Sequence, residues 1–253
     1  MIDAHNHLQD PRFLGRQAEL VASMKEAGIT GCVVNGTGER DWPGVARLAE
    51  EYPGFVIPAF GLHPWKIRDR SPPWLEILAG YLEKYPQASL GECGLDRWMK
   101  KPDLEIQHEV FRQQLELGLE LQRPVTIHCL RAWGPLLEEL RAAPALPQFL
   151  LHSFAGSRET ANDCLKLGAY FSFSGYFLHP RKAKVREVFK ALPPGRILVE
   201  TDAPDMAPPD PEFDWPDANH PANLPLISAE LARICNLPQT TFSTNAQRFF
   251  AVA

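Results

Sequence analysis

The chain has 253 residues, 45% of them apolar and 23% charged, with a formal net charge of −5; this is the make-up of a globular enzyme and excludes a uniformly basic nucleic-acid coat, so any polyanion must be met by local patches or by metal. Five cysteines without a CxxC spacing point to reduced thiols rather than a disulfide framework. The first residues include Asp3, His5 and His7 where a secretory signal would be apolar, and no apolar run approaches the roughly 20 residues of a membrane span, so the expectation is a soluble cytoplasmic protein.

In chain order, a β-rich run over residues 1–8 is followed by an amphipathic stretch over 16–28 that ends in Gly28, a suitable helix C-terminal residue. Strand 31–37 leads to helix 41–52, which stops before Pro53. Strand 55–64 leads to helix 73–85, which stops before Pro86. Strand 88–96 precedes the longest helical pattern, 103–122, where Leu104, Val110, Phe111, Leu115, Leu119 and Leu121 give a broad apolar face. Strands 124–130, 148–156, 169–175 and 196–204 alternate with helices 133–141, 157–168 and 181–192. Residues 203–225, dense in Pro, Asp and Asn, read as a long ordered loop, because helical stretches 226–235 and 240–250 follow. Eight strands alternating with helices predict a parallel α/β sheet. A (β/α)8 TIM barrel takes about 250 residues, which predicts one domain over residues 1–253. The alternative, an open doubly wound sheet, lacks a GxGxxG after the first strand.

His5 and His7 lie two apart in the first strand and so share a face. Alone, such a pair reads first as two hydrogen-bonded core histidines. Glu92, His128, His152 and Asp202 change that reading, because each sits near the end of a separate apolar run. In a parallel barrel those ends meet on one rim, where active sites are built. Two carboxylates and four imidazoles cannot sit there unpaired. Imidazole with carboxylate suits Zn, Fe, Mn or Ni, and carboxylate with water suits Mg. Six ligands exceed one tetrahedral ion and fit two divalent ions bridged by a carboxylate.

The stretches "DAHNHL", "GLHPW", "GECGLD", "VTIHC", "LHSFAGS", "FSFSGY", "LVETDAPD", "PANLP" and "TNAQRFF" run through nearly the whole chain. Together, in this order, they resemble the TatD family of metal-dependent deoxyribonucleases within the amidohydrolase superfamily. The resemblance implies a TIM barrel with a binuclear site. It implies that His5, His7 and Asp202 hold one metal, that His128 and His152 hold the second, and that Glu92 bridges. It also implies that His63 reaches the substrate phosphate. Departures from the family pattern fall at Cys129, Leu130 and Arg131, where Ser-Arg-Asp is common, and at Ser153, Asp205 and His220. The ligand set is intact; the departures bear on substrate choice, since these positions are expected to line the pocket.

Divalent ions lower the pKa of a bound water to about 7, so a hydroxide held beside Glu92 can attack at neutral pH. Asp202 is the candidate general base, and Glu200 a candidate support for the ligands. Basic clusters follow three strands: Lys66, Arg68 and Arg70; Arg97, Lys100 and Lys101; and Arg181, Lys182, Lys184 and Arg186. Such a ring suits a DNA end or a small phosphodiester, though charged loops are often only solvated. Trp65, Trp98 and Tyr176 beside them read either as packing residues or as stacking platforms. His108 and His179 read as surface or capping residues. The expected activity is hydrolysis of phosphodiesters from DNA ends. A metal-dependent amidohydrolase or lactonase acting on a small substrate is the second reading, and a metal-stabilised scaffold without catalysis the third. Nothing in the sequence calls for an obligate protein partner.

Overall fold

The computed structural model describes residues 1–251. The expected domain runs to residue 253, so its last two residues lie outside the described ones. The strands are β1 (Ile2–Asn6), β2 (Gly31–Asn35), β3 (Val56–Phe60), β4 (Ser89–Asp96), β5 (Val125–Leu130), β6 (Phe149–Leu151), β7 (Tyr170–Phe173) and β8 (Ile197–Val199). They form one parallel sheet in sequential order from β1 to β8. Helices α1 (Gln17–Glu26), α2 (Trp42–Glu51), α3 (Trp74–Lys84), α4 (Leu104–Glu120), α5 (Trp133–Ala142), α6 (Arg158–Lys166) and α7 (Ala183–Lys190) connect successive strands. Helices α8 (Leu224–Cys235) and α9 (Thr240–Phe250) follow β8. This is the predicted (β/α)8 order.

The sheet closes just past β8. Asp202 N donates to the His5 carbonyl at 2.9 Å, and His7 N donates to the Ala203 carbonyl at 2.7 Å. The buried Asp3 carboxylate supports this seam by accepting from Thr201 N at 2.9 Å and Thr201 Oγ1 at 2.6 Å. These bonds bring the two edge strands together into a nearly closed barrel and cover part of the sheet edges.

Two apolar layers result from strand alternation. Cys32, Val34, Val56, Leu90, Cys93, Val125, Ile127, Phe171 and Val199 pack outward beneath the helices. Ile2, Ala4, Val33, Ile57, Leu150, Tyr170 and Leu198 fill the lower barrel, where Ala246, Phe249 and Phe250 of α9 join them. The terminal helix therefore plugs the N-terminal end of the strands. The expected loop 203–225 is ordered and ends at Asn223, since Leu224 and Pro225 already belong to α8, and it carries a short antiparallel pair, Asp214–Trp215 with Ala218–Asn219. Among the described residues, the cysteines are unpaired and no helix is long and apolar enough to cross a membrane.

Candidate active site

Two local irregularities aim the polar residues at the open end. Asp3 pairs with Cys32 but Asn6 pairs with Val34, so β1 carries one extra residue against β2. Strict alternation after Ile2 and Ala4 would bring Asn6 inward. The bulge brings His5 inward instead, stacked on His152 with ring centroids 4.1 Å apart. The second bulge lies between Leu90 and Cys93 of β4 and carries Glu92. Gly91 and Gly94 flank it because the chains approach too closely for a side chain: a Cβ on Gly94 would lie 2.0 Å from the His128 carbonyl oxygen.

The six predicted residues meet at one point. His5 Nε2 and His7 Nε2 are 3.2 Å apart. Asp202 Oδ1 lies 3.5 and 3.6 Å from them, and Glu92 Oε2 lies 3.5 and 3.4 Å. The other oxygen of Glu92, Oε1, lies 2.9 Å from His128 Nδ1 and 2.8 Å from His152 Nε2. His7 Nδ1 donates to the Asn35 carbonyl at 2.8 Å, which leaves Nε2 as the ring nitrogen facing His5. Donors held about 2.1 Å from a tetrahedral ion stand roughly 3.4 Å from one another. The first group has that spacing and that chemistry, so these residues fit a divalent cation.

His63 joins the second group. Its Nε2 is 3.4 Å from Glu92 Oε1 and its ring is 4.5 Å from that of His128. Burial and the nearby imidazoles lower its pKa to about 4 against the pull of Glu92, so the ring is neutral. Burial works to raise Glu92, but His152, His63 and the bond from His128 hold its carboxyl well below the usual range. Burial opposes a charge on His7, yet the bond to Asp202 and the charge of Glu92 raise it to about 9. In this cluster carboxylate charge calls for positive charge, from protons or from metal.

Glu200 sits beneath the cluster. It accepts from Ser153 N at 2.8 Å, Ser153 Oγ at 2.7 Å and Ser172 Oγ, and lies 3.6 Å from His152 Nδ1. Asp96 was not among the predicted site residues. It is fully buried, accepts from Trp65 Nε1 at 2.7 Å, and stands 3.0 Å from His128 Nε2. It lies four residues beyond Glu92 on β4, and that even spacing was the signal that could have found it.

Above the cluster opens a cavity of about 920 Å³. Leu130 and Asp205 line it, as expected. His220 does not: it is buried, its Nδ1 accepts from Ala222 N at 3.0 Å, and its ring stacks on Phe213. That local bond caps the turn Pro221–Asn223 and directs the ring away from the opening. Ser153 supports Glu200 from beneath, Cys129 packs under the helices, and the Arg131 guanidinium lies 5.9 Å over Trp98. His179 lines the cavity, whereas His108 pairs with Glu139 at 2.8 Å.

The expected basic ring is narrower than its sequence spacing implied. Lys66 and Arg70 line the cavity, while Arg68 reaches Asp103 at 3.9 Å. The clusters beginning at Arg97 and Arg181 are not part of the wall. Arg186 is spent on the carbonyls of Phe177 and His179, both at 2.7 Å. The wall instead includes Arg12 and Arg40, which the sequence reading missed, and five acids: Asp10, Glu39, Asp41, Asp69 and Asp205. Arg12 is held between Asp10 and Asp205 at 2.9 and 2.8 Å. Carboxylates thus offset the cations around the opening.

The sequence model for TatD related DNase matches residues 2–251. A 3'-5' ssDNA/RNA exonuclease TatD from Edwardsiella piscicida is 31% identical over 264 residues, covering 100% of both chains. The crystal structure of YJJV, a TatD homolog from Escherichia coli K12, superposes with a TM-score of 0.92 at 30% identity, over 100% of this chain and 98% of that one. A TatD family hydrolase from Entamoeba histolytica, at 19% identity and a TM-score of 0.86, covers 98% of this chain and 97% of its own and shares the fold. The chain therefore belongs to the TatD-related DNase family of metal-dependent hydrolases.

Proposed function

We propose that this chain, acting as one catalytic domain, hydrolyses phosphodiester bonds at free ends of DNA, with two divalent ions of the Zn, Mn or Mg kind. His5, His7 and Asp202 would hold one ion, His128 and His152 the other, and Glu92 would stand between them. One observation carries this reading: the two oxygens of Glu92 face two different imidazole groups, Oε2 toward His5 and His7 and Oε1 toward His128 and His152. When bound, such ions supply a nucleophile from water at neutral pH and neutralise charge on a phosphoryl oxygen.

The remaining chemistry belongs to the chain. Asp202 stands at the cavity edge, and its carboxylate can take the proton released when water attacks. His63, neutral and lining the cavity, is placed to meet a phosphate oxygen by hydrogen bonding. Asp96, 3.0 Å from His128 Nε2, keeps that ring oriented when a substrate arrives, and the Glu200 carboxylate, 3.6 Å from His152 Nδ1, places a negative charge beneath the other. The site lies at the floor of a cavity. A terminal unpaired nucleotide can reach it, whereas a closed duplex must first unpair.

The test incubates metal-loaded protein with end-labelled single-stranded, duplex and covalently closed circular DNA, beside a panel of lactones and amides. Single-stranded ends are expected to be cut fastest, with all activity lost in chelator and two ions per chain by elemental analysis. Lactone turnover without DNA cleavage would favour a small-substrate amidohydrolase. Metal-dependent stability without any turnover would favour a scaffold. Equal cutting of circles and ends would keep the nuclease and remove the end-directed reading.

A further inference from the structure

We propose that Trp65 and Trp98 form a base-stacking wall beside the metal centre, through which the chain selects unpaired nucleotides by ring contact; this deepens the preceding reading and rests on it. Large aromatic rings are costly to leave in water, and the chain buries or half-buries its other four tryptophans. Trp65 and Trp98 are 52% and 58% exposed, and both line the cavity.

The two residues are fixed to one carboxylate. Trp65 Nε1 donates to Asp96 Oδ2 at 2.7 Å, and Trp98 N donates to Asp96 Oδ1 at 2.5 Å. The same carboxylate stands 3.0 Å from His128 Nε2. Gln107 clamps the Asp96 backbone on both sides, donating to its carbonyl at 3.0 Å and accepting from its N–H at 2.7 Å. The Trp65 indole and the Trp98 backbone are therefore fixed before substrate arrives, which lowers the entropy lost on binding. The Trp65 ring lies 5.4 Å from that of His63, whose Nε2 is 3.4 Å from Glu92. One ring and one short contact separate Trp65 from the reaction centre, within the reach of a single nucleotide.

Charge cannot do the selecting here. The cavity wall outside the ligand cluster holds four cations and five carboxylates, and Arg12 is already paired with two of those acids. Tyr176 is the more covered ring, with Arg181 and Lys182 over it at 5.1 and 4.7 Å, whereas Trp98 carries Arg131 alone and farther out, at 5.9 Å. Base stacking is tolerant of sequence, since every base has a π-face. A base inside a duplex has its faces covered by neighbours, so the wall favours ends and single strands.

The test compares a short oligothymidylate with the same oligonucleotide carrying abasic sites at both ends, using the metal-loaded full chain. The readout is the ratio of KM for the abasic form to KM for the intact form. In the wild type it is expected to be about tenfold or more. In Trp98→Ala it should fall toward one, and Trp98→Phe should recover most of it. Trp98 is exposed and bonds Asp96 through its backbone, so this variant leaves the carboxylate's partners in place. Trp65→Phe keeps a ring while losing the indole bond, and should retain more of the ratio than Trp65→Ala. Stopped-flow tryptophan quenching on mixing with each oligonucleotide reads contact before turnover. A wild-type ratio near one, or a ratio unmoved by both alanine variants, overturns the wall and leaves the hydrolase reading standing. Quenching by oligothymidylate but not by its abasic form, without phosphodiester cleavage under any metal, keeps the wall and discards the nuclease reading.

Discussion

The two ends of the barrel use the same strands for opposite purposes. On β6, Leu150 packs in the lower barrel, and His152, two residues on and just past the strand's end, stands in the polar cluster around Glu92. Along β8 and beyond it, Leu198 packs below, Glu200 sits midway and Asp202 reaches the opening. Below, side chains meet α9 and water is excluded; above, they meet a cavity of about 920 Å³. A step of two residues along a strand thus converts stabilising apolar burial into a concentrated set of imidazoles and carboxylates whose charge has to be offset. The lower end supplies the stability that the upper end lacks by itself.

This division can be broken from either side. Phe249→Ala at the lower plug should cost about 3–5 kcal/mol of unfolding free energy, while the folded fraction keeps its kcat. Urea unfolding followed by kinetics on the folded fraction checks both halves. A large loss of kcat would show that the plug shapes the site.

Asp202→Asn at the upper end should do the reverse. It removes a candidate ligand and base, so kcat should fall about 100-fold or more at saturating metal, with the thermal transition little changed. Near-normal kcat would exclude Asp202 from both roles.

Glu200→Gln tests the layer between the ends. Gln keeps the shape but loses the charge beside His152, so metal affinity should fall by about 10-fold. Competition with a chelator measures this, and excess metal should restore most turnover. Unchanged affinity would make Glu200 a structural residue of the lower end.

The smallest effect belongs outside the barrel, where Glu139 of α5 accepts from Arg112 and His108 of α4. Burial works to raise its pKa, but those bonds hold the carboxyl below its ordinary value. A carboxylate lowered in the fold contributes stability above its unfolded pKa, roughly 4.3, and loses it as pH falls through the lowered folded value. Glu139→Gln should therefore cost under about 1 kcal/mol at neutral pH, with the difference from wild type vanishing in acid. Thermal melts between neutral and acidic pH give the comparison, and a constant difference would remove the ion pair as its cause.

The barrel order was legible in the sequence because each connection is local: a strand-like run, a turn residue, then an amphipathic stretch. His128 and His152 were legible for a related reason, since each follows a regular apolar run. The β1 and β4 residues were legible as types and less so in their orientation. Alternation from Ile2 and Ala4 points Asn6 inward, and only the bulge against β2 brings in His5. Asp96 was overlooked because its importance lies in its partners, Trp65 in the loop after β3 and His128 on β5, which are distant in the chain.

The sequence by itself determined the alternation of elements, the apolar faces that bury them and the six polar residues at strand ends, because these depend on spacing along one chain. Tertiary structure alone decided which charges surround the opening. Arg12 and Asp205 lie 193 residues apart yet pair across the closing seam, while Arg186 turns away to cap a local turn. Coulomb energy depends on distance through space, so a cluster that is basic in sequence becomes a balanced wall once acids from other loops fold against it.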